Sequence, residues 1–146
     1  MARNTIHVDA PPDAVFEVLA DPRLYGNWVV GASTTYRVDG NWPEPGSVLH
    51  HAQMMLIRDT TTVLESEPGR RVVLEARARP AVVAHVTVTL DPAGGGTRIV
   101  LEEKVTGGLA AVLPDALNDA LIHLRNAEAV RRLKRLTEMG LRLNRA

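Results

Sequence analysis

Arg71-Val72-Val73-Leu74-Glu75-Ala76-Arg77-Ala78-Arg79, and after Pro80 the run Ala81-Val82-Val83-Ala84-His85-Val86-Thr87-Val88-Thr89-Leu90, alternate with a period of two. Successive side chains of an extended chain point to opposite faces. Val72, Leu74, Ala76 and Ala78 therefore share one face, and Val73, Glu75, Arg77 and Arg79 the other. The second run sets Val82, Ala84, Val86, Val88 and Leu90 against Val83, His85, Thr87 and Thr89. One apolar and one wet face is the pattern of an antiparallel sheet with a single buried side. Residues 97–105 repeat it, with Ile99, Leu101, Glu103 and Val105 inward. Glu103 is thus a carboxylate on an otherwise apolar face.

Working outward, residues 5–8, 34–38, 47–57 and 60–65 read as further strands, which makes seven, joined mostly in sequence order. After the first strand, Asp9-Ala10-Pro11-Pro12 opens a helix carrying Val15, Val18 and Leu19, because proline is tolerated in a first helical turn. Asp21-Pro22 breaks that helix, and residues 23–28 read as a second short one with Leu24, Tyr25 and Trp28. The last forty residues change to helical spacing. Leu113, Leu117, Ala120, Leu121, Leu124, Ala127, Val130, Leu133 and Leu136 recur every three or four residues and read as one apolar stripe. Gly140 is the expected stop of this helix. Its basic cluster, Arg131, Arg132, Lys134 and Arg135, reads as a solvated face, with an anionic lipid or nucleic-acid patch as the alternative.

The 146 residues match one domain, expected over 1–146. Seventeen basic and seventeen acidic side chains leave no net charge, which argues against a dedicated nucleic-acid binder. The absence of cysteine excludes disulfides, a thiolate nucleophile and cysteine-ligated metal. No run is apolar enough for stable membrane insertion, and the first residues lack the apolar core of a signal peptide, so a cytoplasmic location is expected. The inward residues are small aliphatics. A curved sheet wrapped on a long helix is filled poorly by them, and an internal cavity is expected.

The order of one strand, two short helices, six more strands and a long C-terminal helix resembles the helix-grip fold of the START and birch-pollen-allergen-like (SRPBCC) superfamily. Residues 8–21, Tyr25-Gly26-Asn27-Trp28-Val29 and the hairpin from Asp91 into Ile99 and Leu101 are similar to its opening strand and first helix, its second helix and its last hairpin. The nearest flavour is the bacterial polyketide cyclase/dehydrase and lipid-transport group. The resemblance implies an α+β fold, a seven-stranded curved antiparallel sheet wrapped around the C-terminal helix, with a hydrophobic pocket between them. It implies binding or transport of a hydrophobic or amphipathic small molecule. A cyclase or dehydratase working by general acid/base catalysis is the alternative, and a regulatory or interaction protein with a vestigial pocket a third. No catalytic motif of the family can be placed on this sequence.

The residues themselves supply candidates. His50 and His51 are neighbours on a strand and face opposite ways. His50 shares parity with Val48, Met54 and Leu56, and His51 with Leu49, Met55 and Ile57. The reading adopted turns His50 into the pocket as a proton shuttle. Glu103 is the second candidate acid or base, with a salt bridge to an arginine as its structural alternative. Tyr36, Met54, Leu74, Val86, Ile99, Leu101, Leu117, Leu121 and Leu124 are the expected ligand-binding residues, with Asn118 and His123 near the helical stripe. Tryptophan at Leu117 or Leu121 is expected to fill the pocket. Gly94-Gly95-Gly96 precedes a strand and so lacks a helix N-terminus for phosphate. No serine sits in a nucleophile elbow and no metal-ligand spacing occurs, so neither metal nor cofactor is expected, and the protein is expected as a monomer or homodimer.

Overall fold

The computed structural model describes residues 1–30, 32–53, 57–78 and 81–145, with the side chains of residues 33, 34, 36, 52, 53, 57, 58 and 142–145 outside that description. The chain runs β1 (Ala2–Val8), α1 (Pro12–Leu19), α2 (Tyr25–Trp28), β2 (Ala32–Asp39), β3 (Val48–Gln53), β4 (Ile57–Glu67), β5 (Arg71–Ala78), β6 (Val82–Ala93), β7 (Gly96–Gly107) and α3 (Asp115–Arg145). Short 3-10 turns precede α2 and α3. All neighbouring strands are antiparallel, in the order β1-β7-β6-β5-β4-β3-β2. This is an α+β helix-grip fold. Only β1 leaves the sequence order, crossing the two short helices to pair with β7.

Local chemistry explains the elements. Pro12 opens α1, Asp13 lies in its first turn, and Val15, Val18 and Leu19 face the core. Asp21 ends that segment by accepting the Arg23 N–H at 2.9 Å, which starts the turn into α2. Bulges in β4 at Leu64, and in β7 at Thr106 opposite Val83 and Ala84, bend the sheet. The inward parity of β5, β6 and β7 is the one alternation dictates, down to Glu103, which is buried. The core joins Val8, Leu19, Leu49, Val63, Leu74, Val88, Leu90, Ile99, Leu101 and Leu133. Against it, α3 packs on β1, β7 and both short helices.

Three expectations are corrected. The strands expected over 47–57 and 60–65 have other bounds: β3 ends at Gln53 and β4 already begins at Ile57, so Asp59 stands inside β4 opposite His51. The helix does not stop at Gly140 but continues to Arg145. The apolar stripe of α3 is right at Val130 and Leu133, both buried, and wrong further up: Leu117, Leu121 and Leu124 are 46%, 56% and 71% exposed. A step of three residues falls about 60° short of a full helical turn. A run taken in threes from Leu121 to Leu133 makes four such steps and drifts about 240° around the helix. The face on the sheet is instead Asn118, Ile122, Asn126, Ala129, Val130, Leu133 and Thr137. Its polar members are held by hydrogen bonds, Asn118 donating to the Ala110 carbonyl at 2.8 Å and Thr137 to the Leu133 carbonyl at 2.8 Å.

Candidate ligand cavity

Between the curved sheet and α3 lies a partly open cavity of about 80 Å³. Its aliphatic wall is Leu74, Ala76 and Ala78 of β5, Val82, Ala84 and Val86 of β6, and Leu101 of β7. Helix α3 contributes Arg125, Asn126 and Ala129, and α2 contributes Tyr25 and Trp28. The small alanines on β5 and β6 leave open the space that longer side chains there would fill.

Two polar groupings meet this space. On the α3 side, Arg125 donates to one Glu103 oxygen and the Asn126 amide donates to the other at 3.1 Å. Glu103 is therefore a buried carboxylate with both oxygens occupied, and the salt-bridge alternative is what the geometry contains. The second is a buried cluster from α2, β3 and β4. The Tyr25 hydroxyl lies 2.6 Å from the Thr61 hydroxyl, which lies 2.9 Å from His51 Nε2. Tyr25 packs at 5.0 Å on the His51 ring and edge-on to Trp28 at 5.6 Å. Burial pushes the Tyr25 phenol up to about 12, and burial followed by the neighbouring His50 pushes His51 down to about 4, so both are neutral at pH 7. Burial also raises the Asp59 carboxyl. Neither oxygen of Asp59, nor His51 Nδ1, nor Trp28 Nε1 has a hydrogen-bond partner among the described residues, although all are buried.

The structure sorts the expected residues clearly. Leu74, Val86, Leu101 and Glu103 line the cavity. Ile99 is fully buried in the core beside it and is not part of the lining. Met54 and the Tyr36 side chain lie outside the described residues. His50 faces away from the cavity and pairs with Asp39 at 2.9 Å. His51 is the inward histidine, because Leu49 and His51 share the buried parity of β3. Leu117, Leu121 and Leu124 point to solvent. Asn118 is buried but bonded within its own region, and His123 is exposed. Trp42 folds back on α1, donating to the Leu19 carbonyl at 3.1 Å.

Sequence reasoning missed Tyr25, Trp28, Asp59, Thr61, Arg125 and Asn126. Tyr25 and Trp28 carried a signal, since two large aromatics three apart on a short helix share a face. Asp59 carried none: it fell between the strands expected over 47–57 and 60–65. Among the described residues no group of three His, Asp or Glu side chains is placed to hold a metal ion, and no helix is long and apolar enough to cross a membrane.

The sheet order, the gripped helix and the cavity between them define a helix-grip domain of the START and birch-pollen-allergen-like superfamily. The family model described as polyketide cyclase / dehydrase and lipid transport matches residues 2–138, and the chain belongs to that family. Similar solved structures include protein NE0264 from Nitrosomonas europaea, at 20% identity and TM-score 0.72 over 94% of each chain. Ara h 8.0201 is similar at 13% identity and TM-score 0.69, over 94% of this chain and 96% of that one. The Aha1 dimer from Colwellia psychrerythraea is similar at 15% identity and TM-score 0.69, over 95% and 96%. At these identities the likeness is one of fold. No curated protein sequence matches the chain.

Proposed function

We propose that the protein binds an amphipathic small molecule in the cavity between sheet and α3. The observation that carries this reading is the cavity's composition: an aliphatic wall facing a buried polar end. Ligand sites commonly combine an apolar lining with a few convergent polar groups that fix orientation. The volume of about 80 Å³ is roughly half that of an engineered cavity that takes up benzene. The enclosed part thus holds the head of the ligand, and the remainder extends through the open side.

Carriage of such a molecule is the leading reading. A cyclase or dehydratase is the second, favoured by one observation: His51, neutral at pH 7, and the buried Glu103 line the same space. Native mass spectrometry of protein purified gently from its own host tests the first reading. Excess mass lost on denaturation supports it, and the bare mass counts against tight binding. Incubating the extracted molecule with fresh protein separates the two readings, since a cargo returns unchanged and a substrate does not. Loss of turnover in Glu103→Gln or His51→Gln supports the enzyme; unchanged turnover in both removes these residues from it.

A further inference from the structure

The partnerless groups at the polar end form a pattern. His51 and Asp59 are directly opposed across β3 and β4, which places their Cβ atoms about 5 Å apart on one face. Thr35, the register partner of His51 on β2, is half-buried, and its buried hydroxyl likewise has no partner among the described residues. Thr61 has one hydroxyl proton and two neighbours, Tyr25 and His51. With Tyr25 donating to Thr61 and Thr61 donating to His51 Nε2, both hydroxyl protons find acceptors. His51 then carries its proton on Nδ1, a donor with no acceptor. Asp59 presents acceptor oxygens with no donor. The two do not satisfy each other, and leaving buried polar groups unpaired is costly. A single group that both accepts and donates completes the pair, and an alcohol or phenol hydroxyl is the simplest such group.

We propose that His51 and Asp59 form a hydroxyl-recognition site, in which a ligand alcohol or phenol accepts from His51 Nδ1–H and donates to the Asp59 carboxyl. Trp28 Nε1–H lies on the same cavity and offers a further donor to an acceptor elsewhere on the ligand head. The inference rests on the cavity-binding reading and names the ligand chemistry that this reading leaves open.

Two probes of similar size test it: phenol, and toluene, which lacks the hydroxyl. The chain has two tryptophans, and the Trp42 indole is committed to the Leu19 carbonyl, so the Trp28 indole N–H is the reporter inside the cavity in a 15N-resolved NMR titration. A plain apolar cavity ranks toluene first, because toluene gains more on leaving water. The site reverses that order, and phenol is expected to bind at least about tenfold more tightly than toluene. Asp59→Leu is expected to restore the apolar order. It also removes a buried carboxyl with no partner, so its melting temperature is expected to rise, which a purely structural carboxyl would not allow. His51→Leu, which leaves the Tyr25–Thr61 contact in place, is expected to reduce the preference for phenol over toluene about tenfold. Toluene ranking first in the wild type, or a phenol preference that survives both substitutions, overturns the hydroxyl site and leaves the cavity reading standing. Failure of both probes to shift the Trp28 indole overturns both.

Discussion

Asp59 holds both carboxyl oxygens inside the protein without a partner among the described residues, whereas Glu103, lining the same cavity, has both of its oxygens bonded. The contrast predicts opposite responses to substitution. Asp59→Asn removes a charge disfavoured by burial and is expected to stabilise by about 1–3 kcal/mol at pH 7. The gain shrinks as pH falls and the folded aspartate takes up its proton, which urea unfolding at neutral and acid pH measures. Arg125→Ala strips the buried Glu103 of its cation; since Arg125 is partly exposed, a loss of about 2 kcal/mol is expected, below the range for fully buried pairs. His51 sets a second pH window. The unfolded chain protonates it near the ordinary 6.5 and the folded chain only near about 4. The unfolded state therefore binds more protons between those values, and stability falls as pH drops through them, by up to about 3 kcal/mol. His51→Phe is expected to flatten this acid limb; an unchanged slope would assign the acid sensitivity to other groups.

At the scale of elements, the rotation of α3 decides which substitutions reach the ligand. Ala129 faces the cavity, so Ala129→Phe is expected to abolish phenol uptake. Leu121 faces solvent, so Leu121→Trp is expected to leave phenol affinity within about twofold, the reverse of what the sequence stripe implies. Isothermal titration of both variants distinguishes the two phases of the helix. The passage from β7 toward α3 depends on Gly108. Its φ is +80°, and a Cβ there would lie 2.8 Å from the Val82 Cα. Gly108→Ala is therefore expected to cost about 1–3 kcal/mol, read as a lowered thermal midpoint. The basic cluster on α3 is paired within the helix, Arg131, Arg132 and Arg135 sharing Glu128 at 3.2, 3.1 and 3.1 Å and Lys134 meeting Glu138 at 3.1 Å.

For the molecule as a whole, the cavity is the counterpart of a sheet lined with small aliphatics that bends around a helix it does not fill. Binding to the folded state alone stabilises it by mass action, about 2.7 kcal/mol at a ligand concentration of 100 Kd. For a chain of this size that corresponds to an upward shift of roughly 5–10 °C. Thermal unfolding with and without phenol measures it. The same experiment on Ala129→Phe is expected to show no shift, since the space is already occupied.

The sequence by itself determined the strands of the second half, their inward faces and the class of fold. Those follow from a period of two that the backbone imposes on every extended residue. Val72, Leu74, Val88, Leu90, Ile99, Leu101 and Glu103 all lie where that alternation places them. The tertiary structure alone decided which histidine faces the cavity, because β3 has apolar residues on both parities and only the pairing of Leu49 and His51 with β4 buries one set. It alone decided the phase of α3, because buried Asn118 and Asn126 read as surface residues until Ala110 and Glu103 bond them. It alone brought Tyr25, His51, Asp59 and Thr61 together. Such polar groups leave no periodic trace, and their meaning arises only when the sheet curves and encloses them.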